Sequence, residues 1–186
     1  TNKKIKENIS DSSINITQGF IGSDKNNFTV TLGREGSDYS AAIFAYVLNA
    51  ESLIIWKDVP GLLNADPKFF SNTKLLNRIS YAETIELAFY GASIIHPKTL
   101  QPLQKKEIPL LVKSFNDPQS KGTLISKGIN IEPLIPCYIF KENLILLKLS
   151  SLDFSFMVED NIRDIFKELH YFKMKVDVIQ NSAISF

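Results

Sequence analysis

A strand-like run, Phe28-Thr-Val-Thr-Leu32, breaks into Gly33-Arg-Glu-Gly-Ser-Asp38 and resumes almost at once as the apolar run Ala41-Ala-Ile-Phe-Ala-Tyr-Val-Leu48. A strand that passes into a helix through a glycine turn leaves a chain few folds to choose from. The second run is apolar nearly all round, which suits a helix buried in an α/β core. Ser37 or Asp38 reads as its N-cap. At such a junction, unpaired backbone N–H groups and the positive end of the helix dipole point at one spot and make an anion site. Gly33 and Gly36 let backbone approach a ligand that Cβ atoms would hold off. Arg34 adds a planar, permanently charged fork suited to carboxylate or phosphate, and Ser37 adds a hydroxyl. Asp38 is the odd member, because an acid beside an anion site needs a cation nearby: Lys, Arg or Mg²⁺. A plain tight turn, with Asp38 capping the helix and Arg34 in solvent, fits the spacing equally well.

The rest of the chain alternates short apolar runs with helical patterns, as an α/β architecture requires. Residues 14–21 and 28–32 flank a turn and read as a hairpin. Leu53-Ile-Ile-Trp56 is a short, fully apolar strand of the kind found in sheets covered on both faces. Residues 57–77, with Pro60-Gly61 and Asp66-Pro67, are too long for a plain connection and read as a functional loop. Ser80-Tyr-Ala-Glu83 is a capping box opening a helix that closes at Gly91, and Pro97 begins a second helix. Strands return at 108–115 and 123–125. Between 128 and 136 the texture changes, which places a domain boundary near residue 130. Beyond it, 137–140, 144–149 and 176–179 read as strands. Residues 161–171 read as an amphipathic helix with Ile162, Ile165, Phe166 and Leu169 on one face.

Composition narrows the function classes. The chain has 186 residues, 44% of them hydrophobic, and a formal net charge of +1. It can bury a core without staples, and it carries no electrostatic footprint for nucleic acid or an anionic membrane. Cys137, the single cysteine, has no partner within the chain for a disulfide. With His96 and His170 it makes too small a ligand set for zinc, so no metal site is expected. His96 reads as a helix-start residue, His170 as a helix-end residue and Cys137 as a small buried hydrophobe. No apolar stretch approaches the roughly 20 residues of a membrane span, and the N-terminus has no apolar signal region. A cytoplasmic location is the expectation. Both ends break off within patterned sequence, which suggests a piece of a larger protein.

Gly33-Arg-Glu-Gly-Ser-Asp-Tyr-Ser-Ala41 resembles the Gly-Arg-Gly/Asn-Gly-Ser-Asp-Tyr-Thr/Ser-Ala signature of aspartokinases. The likeness continues, in family order and spacing, through Ile55-Trp-Lys-Asp-Val-Pro-Gly61, Ala65-Asp-Pro67, Tyr81-Ala-Glu83, Tyr90-Gly-Ala92, Ile95-His-Pro97 and Gly122-Thr-Leu124. It implies the α/β amino-acid kinase (carbamate-kinase-like) sandwich. Residues 1–130 would be its C-terminal, nucleotide-binding part, a mostly parallel sheet covered by helices. Residues 131–186 would be a partial ACT-like, ferredoxin-like α+β module. The activity implied is transfer of the γ-phosphoryl group of ATP, with Mg²⁺, to the side-chain carboxylate of L-aspartate. The product, 4-phosphoaspartate, leads to lysine, threonine, methionine and diaminopimelate.

By the same resemblance, Arg34 clamps the α-carboxylate of aspartate with help from Ser37. Asp38 orients a phosphate-binding lysine of the family's Lys-Phe-Gly-Gly motif, a motif this sequence does not contain. The nucleotide falls to Lys57, Asp58, Leu63, Lys68 and Ser93. Lys57 stands where Thr is common, Leu63 where Tyr often packs near the base, Lys68 where Arg faces phosphate, and Ser93 where Lys is frequent. The resemblance also implies a dimer in the full protein and lysine or threonine as an effector at the ACT region. Residues 153–160 and 175–177 match the effector pattern poorly. The chain alone is expected to bind nucleotide weakly and not to turn over. The alternative is an amino-acid-sensing or dimerisation module of ACT type without catalysis. A glutamate or uridylate kinase is a third and more distant reading, against which the Ser-Asp-Tyr-Ser element argues.

Overall fold

The computed structural model describes residues 2–10, 13–92, 94–152, 155–156 and 158–185. The chain divides into two units, Thr1–Phe140 and Lys141–Phe186. The first begins with a short helix α1 (Asn2–Glu7) and an antiparallel hairpin of β1 (Ile21–Ser23) and β2 (Thr29–Thr31). Then come α2 (Gly36–Leu48), β3 (Leu53–Lys57), β4 (Arg78–Ser80), α3 (Tyr81–Tyr90), α4 (Pro97–Lys106), β5 (Leu110–Ser114) and β6 (Thr123–Ser126). The sheet order is β3-β5-β6-β4. β3 runs parallel to β5 and β4 parallel to β6, while β5 and β6 are antiparallel. The expected helix-covered, mostly parallel sheet is therefore present, with one antiparallel pair at its centre.

Helices α2 and α3 pack on the sheet, and α4 packs on both of them. β5 buries Leu110, Val112 and Ser114 from alternate positions, as the pleat of a strand dictates. Leu110 and Val112 share one core cluster with Ile79, Ile125, Leu100 and Leu103, all fully buried. Each is worth about 1.5–3 kcal/mol of burial. α2 contributes the small Ala42 and Ala45 to the same core. Local signals act as read at α3, where Ser80 and Glu83 close a reciprocal capping box. At α4, Pro97 takes the first position and His96 Nδ1 accepts the Lys98 N–H at 3.1 Å, so His96 caps the helix.

Four expectations differ from the structure. α2 begins at Gly36, behind Glu35 in a left-handed conformation and without a side-chain cap, so neither Ser37 nor Asp38 is its N-cap. The first strand starts only at Ile21; Ile14 and Ile16 are almost fully exposed and join no ladder. The unit boundary lies at 140/141 rather than near 130. Residues 131–140 stay with the first unit because their backbone is bonded to it. Glu132 N donates to Arg78 O at 2.8 Å, Tyr138 N donates to Asn64 O at 2.7 Å, and Ile131, Ile135 and Cys137 pack on its core.

The fourth difference is in the second unit, which holds helix α5 (Glu159–Tyr171) and an isolated antiparallel bridge between Ser150 and Ser185. Among the described residues, 144–149 and 176–179 have no strand partner. Residues 137–140 of the first unit have none either. An apolar run becomes a strand only when a partner backbone takes up its N–H and C=O groups. Ile145 and Leu146 are 83% and 94% exposed instead.

Candidate functional site

The turn between β2 and α2 is closed on its core side and open on the other. A Cβ at Gly36 would stand 2.9 Å from Leu32 Cβ and from Phe20 Cδ2, so only glycine fits there. A Cβ at Gly33 would meet nothing within 4 Å. Gly33 has φ +79° and Glu35 has φ 54°. Left-handed backbone at a residue like Glu35 costs roughly 1–2 kcal/mol, and it swings the chain directly into the helix. Arg34 and Ser37 lie exposed on the open side. The first turn of α2 leaves its leading N–H groups without intrahelical acceptors. Ser40 fixes the helix from behind: its Oγ donates to Gly36 O at 2.8 Å and accepts Phe20 N–H at 3.0 Å.

The cation that Asp38 requires is Lys57. β3 ends at this residue, and its Nζ donates to Asp38 Oδ2 at 2.7 Å, the two side chains being 22% and 12% exposed. The sequence reading placed both residues in the site but assigned Asp38's lysine to a motif outside this chain. The pair ties the head of α2 to the C-terminal edge of a parallel strand pair, the edge at which open α/β sheets take ligands. The exit of β5 lines the same edge. Phe115 N donates to Lys57 O at 2.8 Å, and Asn116 Nδ2 reaches Asp58 O at 3.4 Å. The rings of Trp56 and Phe115 lie 5.7 Å apart, with Lys113 Nζ 5.3 Å from the Trp56 ring centre.

The 58–77 loop is an ordered excursion. Leu62 N donates to the buried Thr123 Oγ1 at 2.8 Å, and Leu76 N donates to Leu62 O at 2.9 Å. Asn64 holds Lys74 from both sides, N–H to carbonyl at 3.0 Å and side-chain oxygen to N–H at 2.7 Å. Asp66 Oδ1 accepts Lys68 N–H at 2.8 Å, an Asx turn at Asp66-Pro67. Asp58 and Lys68 are exposed, and Leu63 is half-buried in a bridge to Leu75. The structure thus joins Asp38 to Lys57, with Ser37 and Asp58 their neighbours in the chain and Arg34 in the same β2–α2 turn. Among the described residues, no hydrogen bond or ion pair joins Leu63 or Lys68 to that group. Ser93, the remaining candidate, lies outside the described residues.

Other reactive groups are structural. Burial, and secondarily Glu83, push the Cys137 thiol above its usual range, which keeps it protonated and poorly nucleophilic. In the second unit, Asp177 accepts Lys141 Nζ at 2.7 Å and lies 3.3 Å from Lys175 Nζ. The Lys141 hydrogen bond is the main cause that holds its carboxyl below the ordinary value. Among the described residues, no group of three or more His, Cys, Asp and Glu side chains is placed to hold a metal ion. No helix among them is long and apolar enough to cross a membrane.

The model of the amino acid kinase family matches residues 1–114. Lysine-sensitive aspartokinase 3 of Escherichia coli is 40% identical over 172 residues, 91% of this chain and 38% of that protein. The crystal structure of E. coli aspartokinase III with aspartate and ADP superposes with a TM-score of 0.62 at 35% identity, over 90% of this chain and 37% of that one. The aspartate kinase of Clostridium acetobutylicum gives a TM-score of 0.74 at 26% identity, over 99% of this chain and 43% of that one. The chain spans less than half the length of these relatives.

Proposed function

Because the chain belongs to the amino acid kinase family and its relatives there are aspartokinases, we propose that it is the nucleotide- and substrate-binding part of an aspartokinase. The reaction is transfer of the ATP γ-phosphoryl group to the side-chain carboxylate of L-aspartate, the entry to lysine, threonine and methionine synthesis. One observation carries this reading: the open Arg34–Ser37 side of the α2 turn is joined to the C-terminal edge of β3 by the Lys57–Asp38 pair. Phosphoryl transfer asks a protein for positioning and charge neutralisation rather than covalent chemistry. Arg34 suits the α-carboxylate of aspartate, which it can grip with two parallel hydrogen bonds. Ser37 and the first-turn N–H groups of α2 add donors. Lys57 and Asp58, with Leu63 and Lys68 on the pinned loop, serve the nucleotide. The E. coli relative's complex with aspartate and ADP supports both ligands. Mg²⁺ is commonly held by one or two carboxylates plus phosphate oxygens, and Asp58 offers a carboxylate for a metal carried in on ATP. The second unit is proposed as the start of an ACT-like regulatory module with lysine or threonine as effector. A thermal shift of the second unit's transition by either amino acid tests that part.

The main test is calorimetric binding of aspartate and of an ATP analogue with Mg²⁺. Arg34→Met should weaken aspartate by about tenfold or more, the value of a charge-assisted hydrogen bond, and leave the nucleotide alone. Asp58→Ala should do the reverse. Unchanged affinities in both variants overturn the assignment. The chain by itself should not turn over, since its sequence holds no Lys-Phe-Gly-Gly segment. Aspartate-dependent ADP release by this chain in a coupled assay would refute that.

A further inference from the structure

The last stretch of the first unit, residues 131–140, forms no strand yet is held from two sides. Ile131, Ile135 and Cys137 turn inward and pack on the core. Tyr138 and Phe140 meet the tip of the 58–77 loop instead. The Tyr138 and Phe70 rings stack 5.7 Å apart, and the Phe140 and Phe69 rings lie 4.3 Å apart. Tyr138 N donates to Asn64 O at 2.7 Å, and Asn64 Nδ2 donates to Pro136 O at 3.1 Å. Asn64 and Phe69 are the chain neighbours of Leu63 and Lys68, the two nucleotide candidates that no bond joins to the Lys57–Asp38 pair. Residues 131–140 are thus a strap that grips the loop beside both. The grip is shallow. Tyr138 and Phe140 are 52% and 50% exposed. A groove of about 390 Å³, lined by Ile79, Ala82, Leu87, Ile135 and Cys137, stays open between the strap and α3. A contact this small opens at low free-energy cost, the level from which ligand-binding loops are drawn.

We propose that Tyr138 and Phe140 are positioning residues for the nucleotide loop: their rings hold the 64–70 tip, and the docked strap thereby sets how Lys68 is presented. The inference rests on reading this loop as the nucleotide's. It adds a control on affinity that lies outside the residues meeting the ligand. The Tyr138 hydroxyl makes no hydrogen bond among the described residues, so its ring carries the contact. Lys68 forms no ion pair among them, while its N–H is held by Asp66 Oδ1 at 2.8 Å. Its backbone is fixed by the tip, and its ammonium is not committed to a carboxylate.

Amide hydrogen exchange and calorimetric titration of an ATP analogue with Mg²⁺ are run on the full chain. The variants are Tyr138→Ala, Tyr138→Phe, Lys68→Ala and the Tyr138→Ala/Lys68→Ala double variant. Asn64, Phe69, Phe70 and Lys74 have N–H groups bonded within the tip. Tyr138→Ala should speed their exchange about fivefold, the worth of one aromatic pair. Leu62 and Leu76, anchored at Thr123, should keep their rates, which shows that the fold is intact. Analogue affinity should fall about threefold or more in Tyr138→Ala, and Tyr138→Phe should restore both readouts. Lys68→Ala alone should weaken the analogue about fivefold. Adding Tyr138→Ala to it should cost nothing further, because the strap acts through the lysine. By reciprocity, the analogue should slow exchange at Tyr138 N–H in wild type. Unmoved tip amides in Tyr138→Ala overturn the strap. Faster tip exchange with unchanged affinity, or a loss that adds to that of Lys68→Ala, overturns the positioning role and leaves the nucleotide reading standing. A wild-type chain that does not bind the analogue overturns the nucleotide reading and the proposal with it.

Discussion

Replacing Thr123 by Val keeps the shape of a fully buried side chain and removes its oxygen. That oxygen is the acceptor for Leu62 N–H at 2.8 Å, and Leu62 is itself only 4% exposed. The variant leaves this N–H in the core without a partner, a loss of about 1–3 kcal/mol. The added methyl returns at most about 0.8 kcal/mol of apolar burial, so the net loss should be about 1–2 kcal/mol. The approach is available only to glycine at the neighbouring position, where a Cβ on Gly61 would stand 2.5 Å from Thr123 Oγ1. Thr123→Ser is the control, since it keeps the oxygen and gives up a methyl group for about 1 kcal/mol. Global stability will barely separate the two variants. Amide hydrogen exchange will, because the Val variant frees the anchor of the 58–77 loop. Exchange at Leu62, and at Leu76 whose N–H depends on the Leu62 carbonyl, should accelerate about tenfold in Thr123→Val, the equivalent of about 1.4 kcal/mol of local opening. It should change little in Thr123→Ser. Nucleotide affinity should follow the exchange, although no nucleotide-facing residue has been altered. Equal protection of Leu62 in the two variants would refute the reasoning.

The Tyr81 hydroxyl donates to Ile108 O, and burial, with a smaller contribution from Glu107, pushes its pKa up to about 12 from 10.0. The unfolded chain thus releases this proton first, so the contribution to stability is complete below pH 10 and is lost as pH rises toward 12. Urea unfolding at pH 8 and pH 11 should show a loss in wild type that shrinks in Tyr81→Phe, which itself gives up about 1 kcal/mol at neutral pH. Gly122→Ala combines φ +67° with a Cβ 2.2 Å from Val112 O, which forces β5 and β6 apart. It should destabilise by about 3 kcal/mol or more in equilibrium denaturation.

What the sequence made legible were the elements whose causes are local. The capping box of α3 and Pro97 at the head of α4 each carry their own signal within a few residues and form as read, while β3 forms as a strand but at the sheet edge, with Ile54 45% exposed rather than covered on both faces. The start of α2 does not form as read, because a tertiary contact overrides the preference of Ser and Asp for the N-cap. Ser40 reaches back to bond Phe20 N, and Asp38 is drawn off to Lys57, so the helix begins behind a left-handed Glu35 instead. The apolar runs at 144–149 and 176–179 satisfy a strand pattern as well as β3 does. Pattern reports what a segment could pair with, and pairing depends on a second backbone that the pattern does not name.

The same distinction governs the site. Charge logic at Gly33-Arg-Glu-Gly-Ser-Asp38 demanded a cation for Asp38, and Lys57 was already conspicuous as a lysine where threonine is common. Neither fact alone implied the other, since the two residues stand 19 positions apart and meet only because α2 packs on β3. A threonine at position 57 could offer Asp38 a hydroxyl but no charge. The carboxylate would then need a cation from elsewhere, and the site would become electropositive only on that cation's arrival. Lys57 supplies the charge from within the sheet, so Asp38 is paired before anything docks against the turn.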